Sequence, residues 1–199
     1  MDQSDRITLR DGELGWHAAA FAPLEAARLF AELRETLPWH QEQLVIFGRE
    51  RAVPRLVSWH GDPAARYAYS GVLHEPAPWT PALECVRTRA QQLAKRTFNS
   101  VLANLYRDGR DGMGWHSDDE PELGQNPVIA SVSFGATRRF RLRHRRERSL
   151  THALELTDGS VLVMAGATQH HWQHSITKTA RPVGPRINLT FRQIAETRT

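Results

Sequence analysis

The chain is short of several things, and each shortage excludes something. It has one cysteine, Cys85, in 199 residues, so no disulfide forms within it and a reducing, cytoplasmic setting is expected. No apolar run approaches the roughly 18 residues that a membrane span needs. The charged opening residues 1–6 do not read as a signal peptide. Repeats and low-complexity tracts are missing, and no stretch reads as a linker. One domain over residues 1–199 is therefore expected, acting as a monomer away from membranes. Lysine is also scarce: Lys95 and Lys178 are the only two, so the 26 basic residues are almost all arginine, with a net charge of +4. A planar guanidinium reads phosphate and carboxylate, which fits a polyanionic partner. A GC-rich coding sequence gives the same excess.

What is present begins with helices and ends with strands. Residues 1–20 read as an extended or loosely packed lead-in. Pro23 to Leu37 reads as a helix, with proline at its start and Ala26, Phe30, Leu33 and Leu37 at helical spacing. Residues 44–47 read as a short strand, and 54–80, rich in Trp, Tyr, Pro and Gly, as irregular. A second helix is predicted from Pro81 to Phe98, with Thr80 as N-cap. From Ser100 the period changes to two, with strands predicted at 100–106, 128–134, 138–145, 153–156, 160–164 and 186–192. Helices followed by a run of strands imply an α+β chain whose sheets close as a sandwich or barrel.

The chemistry gathers in the second half. His116 and Asp118 lie two residues apart, so on an extended backbone they point to one side and reach one ion. A third ligand is available within Gln169-His-His-Trp-Gln-His174. Two histidines and a carboxylate on one face of an octahedral ion leave three positions open, the arrangement of non-haem Fe(II) oxygenases. Zinc accepts the same ligands, and a solvated turn shows the same pair of residues. The segment Arg186-Ile-Asn-Leu-Thr-Phe-Arg192 alternates strictly, placing Arg186, Asn188, Thr190 and Arg192 on one face. Two arginines on an inner face are costly without an anion, and a dicarboxylate meets them with paired hydrogen bonds; a solvent-facing edge is the other reading. Asn104 and Tyr106 share a face of another predicted strand and offer further donors to a carboxylate.

These stretches together resemble the AlkB family of 2-oxoglutarate-dependent nucleic-acid demethylases, and most closely the branch that contains the human DNA-repair homologues. The resemblance rests on Asn104-Leu-Tyr-Arg-Asp108, Trp115-His-Ser-Asp-Asp-Glu-Pro-Glu-Leu-Gly124, Ile129 to Arg138, Gly166-Ala-Thr-Gln169, Trp172-Gln-His174 and Arg186 to Arg192. It covers residues 40–194 in one order. It implies a double-stranded β-helix (jelly-roll) core, with the catalytic part at about 100–194 and helices flanking it at the N-terminal side. It implies Fe(II), 2-oxoglutarate and O2 as cofactors, with iron held by His116, Asp118 and His174. It assigns Asn104, Tyr106, Arg186, Asn188, Thr190 and Arg192 to 2-oxoglutarate, Arg186 on the distal carboxylate and Arg192 near the carboxylate beside the keto group. The chain departs from the family's pattern at His170 and His171, where small or acidic residues are expected; either competes as a ligand, and the family spacing favours His174.

The same resemblance implies the substrate: bases methylated at a ring nitrogen, such as 1-methyladenine and 3-methylcytosine, in DNA or RNA. These lesions are cationic, so aromatic faces and a negative group suit them. Tyr67, Tyr69 and Ser70 match an aromatic base-pocket segment, and Asp119 and Glu120 match acidic residues near the base. Phe47 matches a residue that fills the stack left by a flipped base. The stretch Arg138 to Arg146 alternates as well, with Phe140 and Leu142 on one face and Arg139, Arg141, Arg143 and Arg145 on the other, a ribbon suited to a phosphate backbone. The alternatives are an oxygenase of the same chemistry acting on RNA, protein or lipid, and a non-catalytic binder of damaged nucleic acid.

Overall fold

The computed structural model describes residues 5–46, 49–65, 67–69 and 72–195. The chain opens with a hairpin of β1 (Asp5–Leu9) and β2 (Gly12–His17), then helix α1 (Pro23–Thr36). Five short strands follow: β3 (Gln43–Ile46), β4 (Arg49–Ala52), β5 (Leu56–Gly61), β6 (Tyr67–Tyr69) and β7 (Val72–His74). After helix α2 (Pro81–Ala94) come β8 (Ser100–Tyr106), β9 (Met113–His116), β10 (Ile129–Gly135), β11 (Arg138–His144), β12 (Thr151–Leu156) and β13 (Ser160–Ala165). A single helical turn, α3 (Thr168–His171), leads into β14 (Trp172–Ile176), and β15 (Arg186–Arg192) closes the fold.

Two antiparallel sheets dominate. The larger has the strand order β1-β2-β13-β10-β15-β8-β5 and the smaller β12-β11-β14-β9. Period two decides what each face of the large sheet meets. Val101, Ala103, Leu105, Ala130, Val132, Phe134, Ile187, Leu189 and Phe191 pack under the helices. Ile129, Leu162 and Met164 point the other way, into a second core shared with Phe140, Leu142, Trp172 and Ile176 of the small sheet. The helices thus cover one face of the large sheet and the small sheet covers the other. This is the jelly-roll arrangement expected, with its helices on the outside.

Both helices form for local reasons. Each starts with proline at its first turn, and the stripes Ala26, Leu29, Leu33 and Ala82, Leu83, Val86, Ala90 are buried. The Thr80 side chain caps α2 by accepting from the Leu83 N–H at 3.3 Å. The helix stops at Ala94 rather than reaching Phe98, because Lys95 takes the left-handed conformation (φ 51°) and turns the chain away.

Two further expectations change. The lead-in is a hairpin that joins the large sheet: β2 pairs with β13 from Val161↔His17 to Ala165↔Glu13, and Leu14 is buried in the second core. The stretch 54–80 is not wholly irregular, since β5 forms the edge of the large sheet beside β8. Its polar residues deceive because they are buried in pairs: Ser58 Oγ meets His60 Nε2 at 2.8 Å, and His60 Nδ1 meets the Pro78 carbonyl at 2.7 Å.

The hairpin's place in the core has a measurable consequence. Leu14→Ala is expected to lower the unfolding free energy by about 2–5 kcal/mol in urea denaturation, the cost of emptying a core leucine site. A loosely packed lead-in would lose under about 0.5 kcal/mol.

Candidate active site

The small sheet brings the metal-ligand candidates together. β14 pairs with β9 in a register that sets His174 opposite His116, and their rings lie 4.2 Å apart between centroids. Asp118 follows β9 on the extended segment after His116, and its Oδ2 is 3.8 Å from His174 Nε2. One ligand atom from each of His116, Asp118 and His174 falls within 4.8 Å of the others. His116 Nδ1–H donates to the Gly114 carbonyl at 2.9 Å, which leaves the Nε2 lone pair for a metal. His174 stacks on Phe140 at 5.2 Å.

The protonation states suit a cation. Burial pushes the His174 pKa down to about 3, with Asp118 opposing the shift, so the ring is neutral and can ligate. Burial alone would raise the Asp118 pKa. The neighbouring Arg192, with His174 and His116, outweighs that and holds it below the ordinary carboxylate value. The Arg192 contact is close, Nη2 to Asp118 Oδ1 at 2.5 Å.

The large sheet supplies an anion site in the same cavity, lined by Asn104, Tyr106, Arg186, Asn188, Thr190 and Arg192 along with the three metal-ligand candidates. Arg186 is 1% exposed, and burial lowers its pKa to about 10, so it stays cationic at neutral pH. Its Nη2 donates to Ser133 Oγ at 2.8 Å, while Nε and Nη1 have no partner among the described residues. Its guanidinium lies 5.3 Å from the centre of the Tyr106 ring. Asn188 Nδ2 donates to Ser131 Oγ at 2.8 Å, and Thr190 Oγ1 donates to Asn188 Oδ1 at 3.0 Å. Arg192 Nε is a third buried nitrogen without a partner. A buried guanidinium with unpaired donors is expensive unless an anion meets it, and a dicarboxylate fits both arginines. The donor set therefore fits Fe(II) and 2-oxoglutarate side by side.

The remaining expectations divide. His170 and His171 are not at the triad: His170 Nε2 accepts from the Asn126 N–H at 3.3 Å, and His171 stacks on His144. His171, His144 and Asp11 form a second close group. There His144 Nδ1 accepts from the Glu147 N–H at 3.0 Å, so Nε2 carries the proton and faces Asp11 Oδ2 at 3.4 Å. That tautomer offers no lone pair to a metal. Asp119 is exposed and pairs with Arg145 at 2.6 Å, while Glu120 holds a buried Oε2 without a partner. Tyr67 and Tyr69 lie on β6, paired with β7. Phe47 and Ser70 lie outside the described residues.

The arginine ribbon alternates as read. Arg139 and Arg141 are exposed, and Arg143 is half-buried with its guanidinium 4.2 Å from the Trp115 ring. Arg138 faces inward instead, donating to the carbonyls of Asp108, Asp111 and Thr177. Sequence reasoning missed Arg55, which is buried and donates from Nε to Asn104 Oδ1 at 2.7 Å. It stands just before β5, inside the stretch that reads as irregular, so no period points to it.

Comparison with known proteins agrees with this geometry. The profile of the 2OG-Fe(II) oxygenase superfamily matches residues 13–192. The chain is 40% identical over 192 residues to the DNA oxidative demethylase ALKBH2 of Mus musculus, covering 92% of this chain and 80% of that one. It is 38% identical to ALKBH2 of Homo sapiens, covering 92% and 74%. It is 41% identical to the alpha-ketoglutarate-dependent dioxygenase alkB homolog 3 of Mus musculus, over 85% of this chain but only 62% of that relative's length. The structure of OsALKBH1 superposes with a TM-score of 0.67 over 95% of this chain and all of that one; at 15% identity this shows the fold alone. The chain belongs to the 2OG-Fe(II) oxygenase superfamily and, within it, to the AlkB family.

The buried histidine makes the metal-free protein sensitive to acid. His174 has a pKa of about 3 when folded and an ordinary 6.5 when unfolded. The unfolded chain takes up this proton and the fold refuses it, so the contribution is intact above pH 6.5. It is lost as pH falls from 6.5 toward 3, by about 1.4 kcal/mol per pH unit. Urea unfolding in chelator should therefore show a steeper loss between pH 6.5 and 4.5 in wild type than in His174→Gln, by about one proton. Equal slopes would contradict this.

Proposed function

We propose that the chain is an Fe(II)- and 2-oxoglutarate-dependent dioxygenase that removes methyl groups from ring nitrogens of nucleobases in DNA, of the 1-methyladenine and 3-methylcytosine type, as alkylation-damage repair. One observation carries it: the group His116, Asp118, His174 shares a cavity with the buried Arg186, whose Nε and Nη1 have no partner among the described residues. Bound there, Fe(II) with 2-oxoglutarate and O2 would supply the oxidation: one oxygen atom goes to the methyl group, which leaves as formaldehyde, and the other to succinate as 2-oxoglutarate loses CO2.

The residues do the rest. His116, Asp118 and His174 would hold the metal through two imidazoles and one carboxylate. Arg186 takes the distal carboxylate, with Tyr106 and Asn104 beside it. Arg192 keeps Asp118 ionised through Nη2, and its buried Nε has no partner among the described residues. Glu120, with a buried unpaired oxygen close after Asp118, suits a cationic methylated base. Tyr67, Tyr69 and Ser70 are assigned to the base and Phe47 to the gap it leaves. Arg139, Arg141 and Arg143 suit phosphate contacts, which position a strand without reading its sequence. The ALKBH2 relatives are named as acting on DNA, which supports DNA over RNA.

The deciding assay is formaldehyde release from methylated oligonucleotides, single- and double-stranded, DNA and RNA, with Fe(II) and 2-oxoglutarate. Turnover on methylated DNA is expected, and Asp118→Ala should lower it more than about 100-fold, beyond the usual cost of changing a group that only supports a ligand. Turnover confined to RNA would reassign the substrate, and unchanged turnover in Asp118→Ala would refute the site. Arg186→Met should raise the KM for 2-oxoglutarate on the order of 100-fold, since charged hydrogen bonds are each worth about 1.5–3 kcal/mol.

A further inference from the structure

Asp118 depends on a residue that is neither a metal-ligand candidate nor a co-substrate contact. Its backbone N–H donates to Gln169 Oε1 at 2.9 Å. Gln169 is fully buried and sits on α3, five residues before His174. The other end of its amide, Nε2, donates to Met164 Sδ at 3.4 Å. The amide is therefore held at both ends, with its oxygen turned to the Asp118 N–H. The neighbouring Ser117 hydroxyl donates to the Trp172 carbonyl at 2.9 Å. Two successive residues of the His116–Asp118 segment are thus tied to the turn that feeds His174 into β14.

That turn is itself anchored. Thr168 Oγ1 accepts from the Glu13 N–H at 2.9 Å, and Trp172 Nε1 donates to the Arg10 carbonyl at 2.8 Å. Both anchors lie in the amino-terminal hairpin. Strand β9 ends at His116, so its ladder with β14 does not reach the segment that carries Asp118. A side-chain acceptor on the Asp118 N–H does.

We propose that Gln169 is a positioning residue for the iron site: by accepting from the Asp118 N–H it holds the Asp118 carboxylate at the distance from His116 and His174 that one metal ion needs. This rests on the iron reading given above. Groups that orient metal ligands without touching the metal typically change affinity about 10–100-fold when removed.

The test measures metal binding, not turnover. Co(II) is titrated into the metal-free protein by calorimetry, well below the melting temperature, and the melting temperature is recorded alongside. Gln169→Met keeps the length of the side chain and removes its acceptor. It should weaken Co(II) binding about 10–100-fold. Gln91→Met is the matched control: Gln91 Oε1 accepts from the Phe98 N–H at 2.8 Å, the same bond placed on α2. It should lower the melting temperature and leave Co(II) affinity within about twofold, since a site remote from the metal adds independently. Should Gln169→Met not fold, Gln169→Asn, whose amide falls short of the N–H, is expected to weaken Co(II) in the same direction. Co(II) affinity in either folded variant within twofold of wild type overturns the positioning role. A wild-type protein that binds no Co(II) overturns the iron site itself and this role with it.

Discussion

The inner face of β15 sets the terms for everything around it. Ile187, Leu189 and Phe191 fill the core beneath the helices, so Arg186, Asn188, Thr190 and Arg192 must lie between the two sheets. Four polar groups there are tolerable only if they are paired. Strand β10 answers with Ser131 opposite Thr190 and Ser133 opposite Asn188, and their hydroxyls take Asn188 and Arg186. A slip of one residue would press two guanidiniums into the helix-side core, so the register is strongly specified. Two nitrogens of Arg186 and one of Arg192 stay buried without a partner among the described residues.

The metal-ligand candidates are coupled to that face through charge. A buried carboxylate would ordinarily pick up a proton, yet Asp118 is held ionised, chiefly by Arg192. The same strand thus carries the guanidinium that keeps Asp118 charged and the one that would receive a carboxylate. Between the sheets one carboxylate, Asp118, faces two guanidiniums, an excess of positive charge that a divalent cation would enlarge and a dicarboxylate would reduce. His174 adds nothing to that sum, because burial keeps it unprotonated.

Much of this was legible in the sequence, and the failures have identifiable physical causes. Strict alternation gave β8, β11 and β15 close to their observed bounds, and with β15 the inner polar face. Helix α2 was read through to Phe98, because the left-handed turn at Lys95 carries no glycine to mark it. Strand β5 was hidden because Ser58 and His60 satisfy each other inside the protein, so their polarity did not mean exposure. The third ligand was ambiguous among three histidines within five residues. Only the turn α3 separates them, by sending His170 and His171 away before β14 begins at Trp172. Gln169 stood inside a recognised motif, but a hydrogen bond to a backbone N–H 51 residues earlier leaves no trace in local spacing.

The small sheet shows how one strand can serve two demands without conflict. On β11, Phe140 and Leu142 point inward, and Phe140 stacks on the His174 ring. Arg139 and Arg141 point outward from the same strand. On β9, His116 turns to the metal side while Trp115, one residue earlier, turns out to meet Arg143. Because successive side chains take opposite faces, the outer basic surface can change residue by residue while the inner rings stay fixed. The two faces respond to different physics. The outer arginines are screened by salt and contribute little to stability. The inner rings sit in a packed core where a small displacement would spoil the ligand geometry. Outer charge and inner packing are therefore separable in this fold, although they are carried on the same strands.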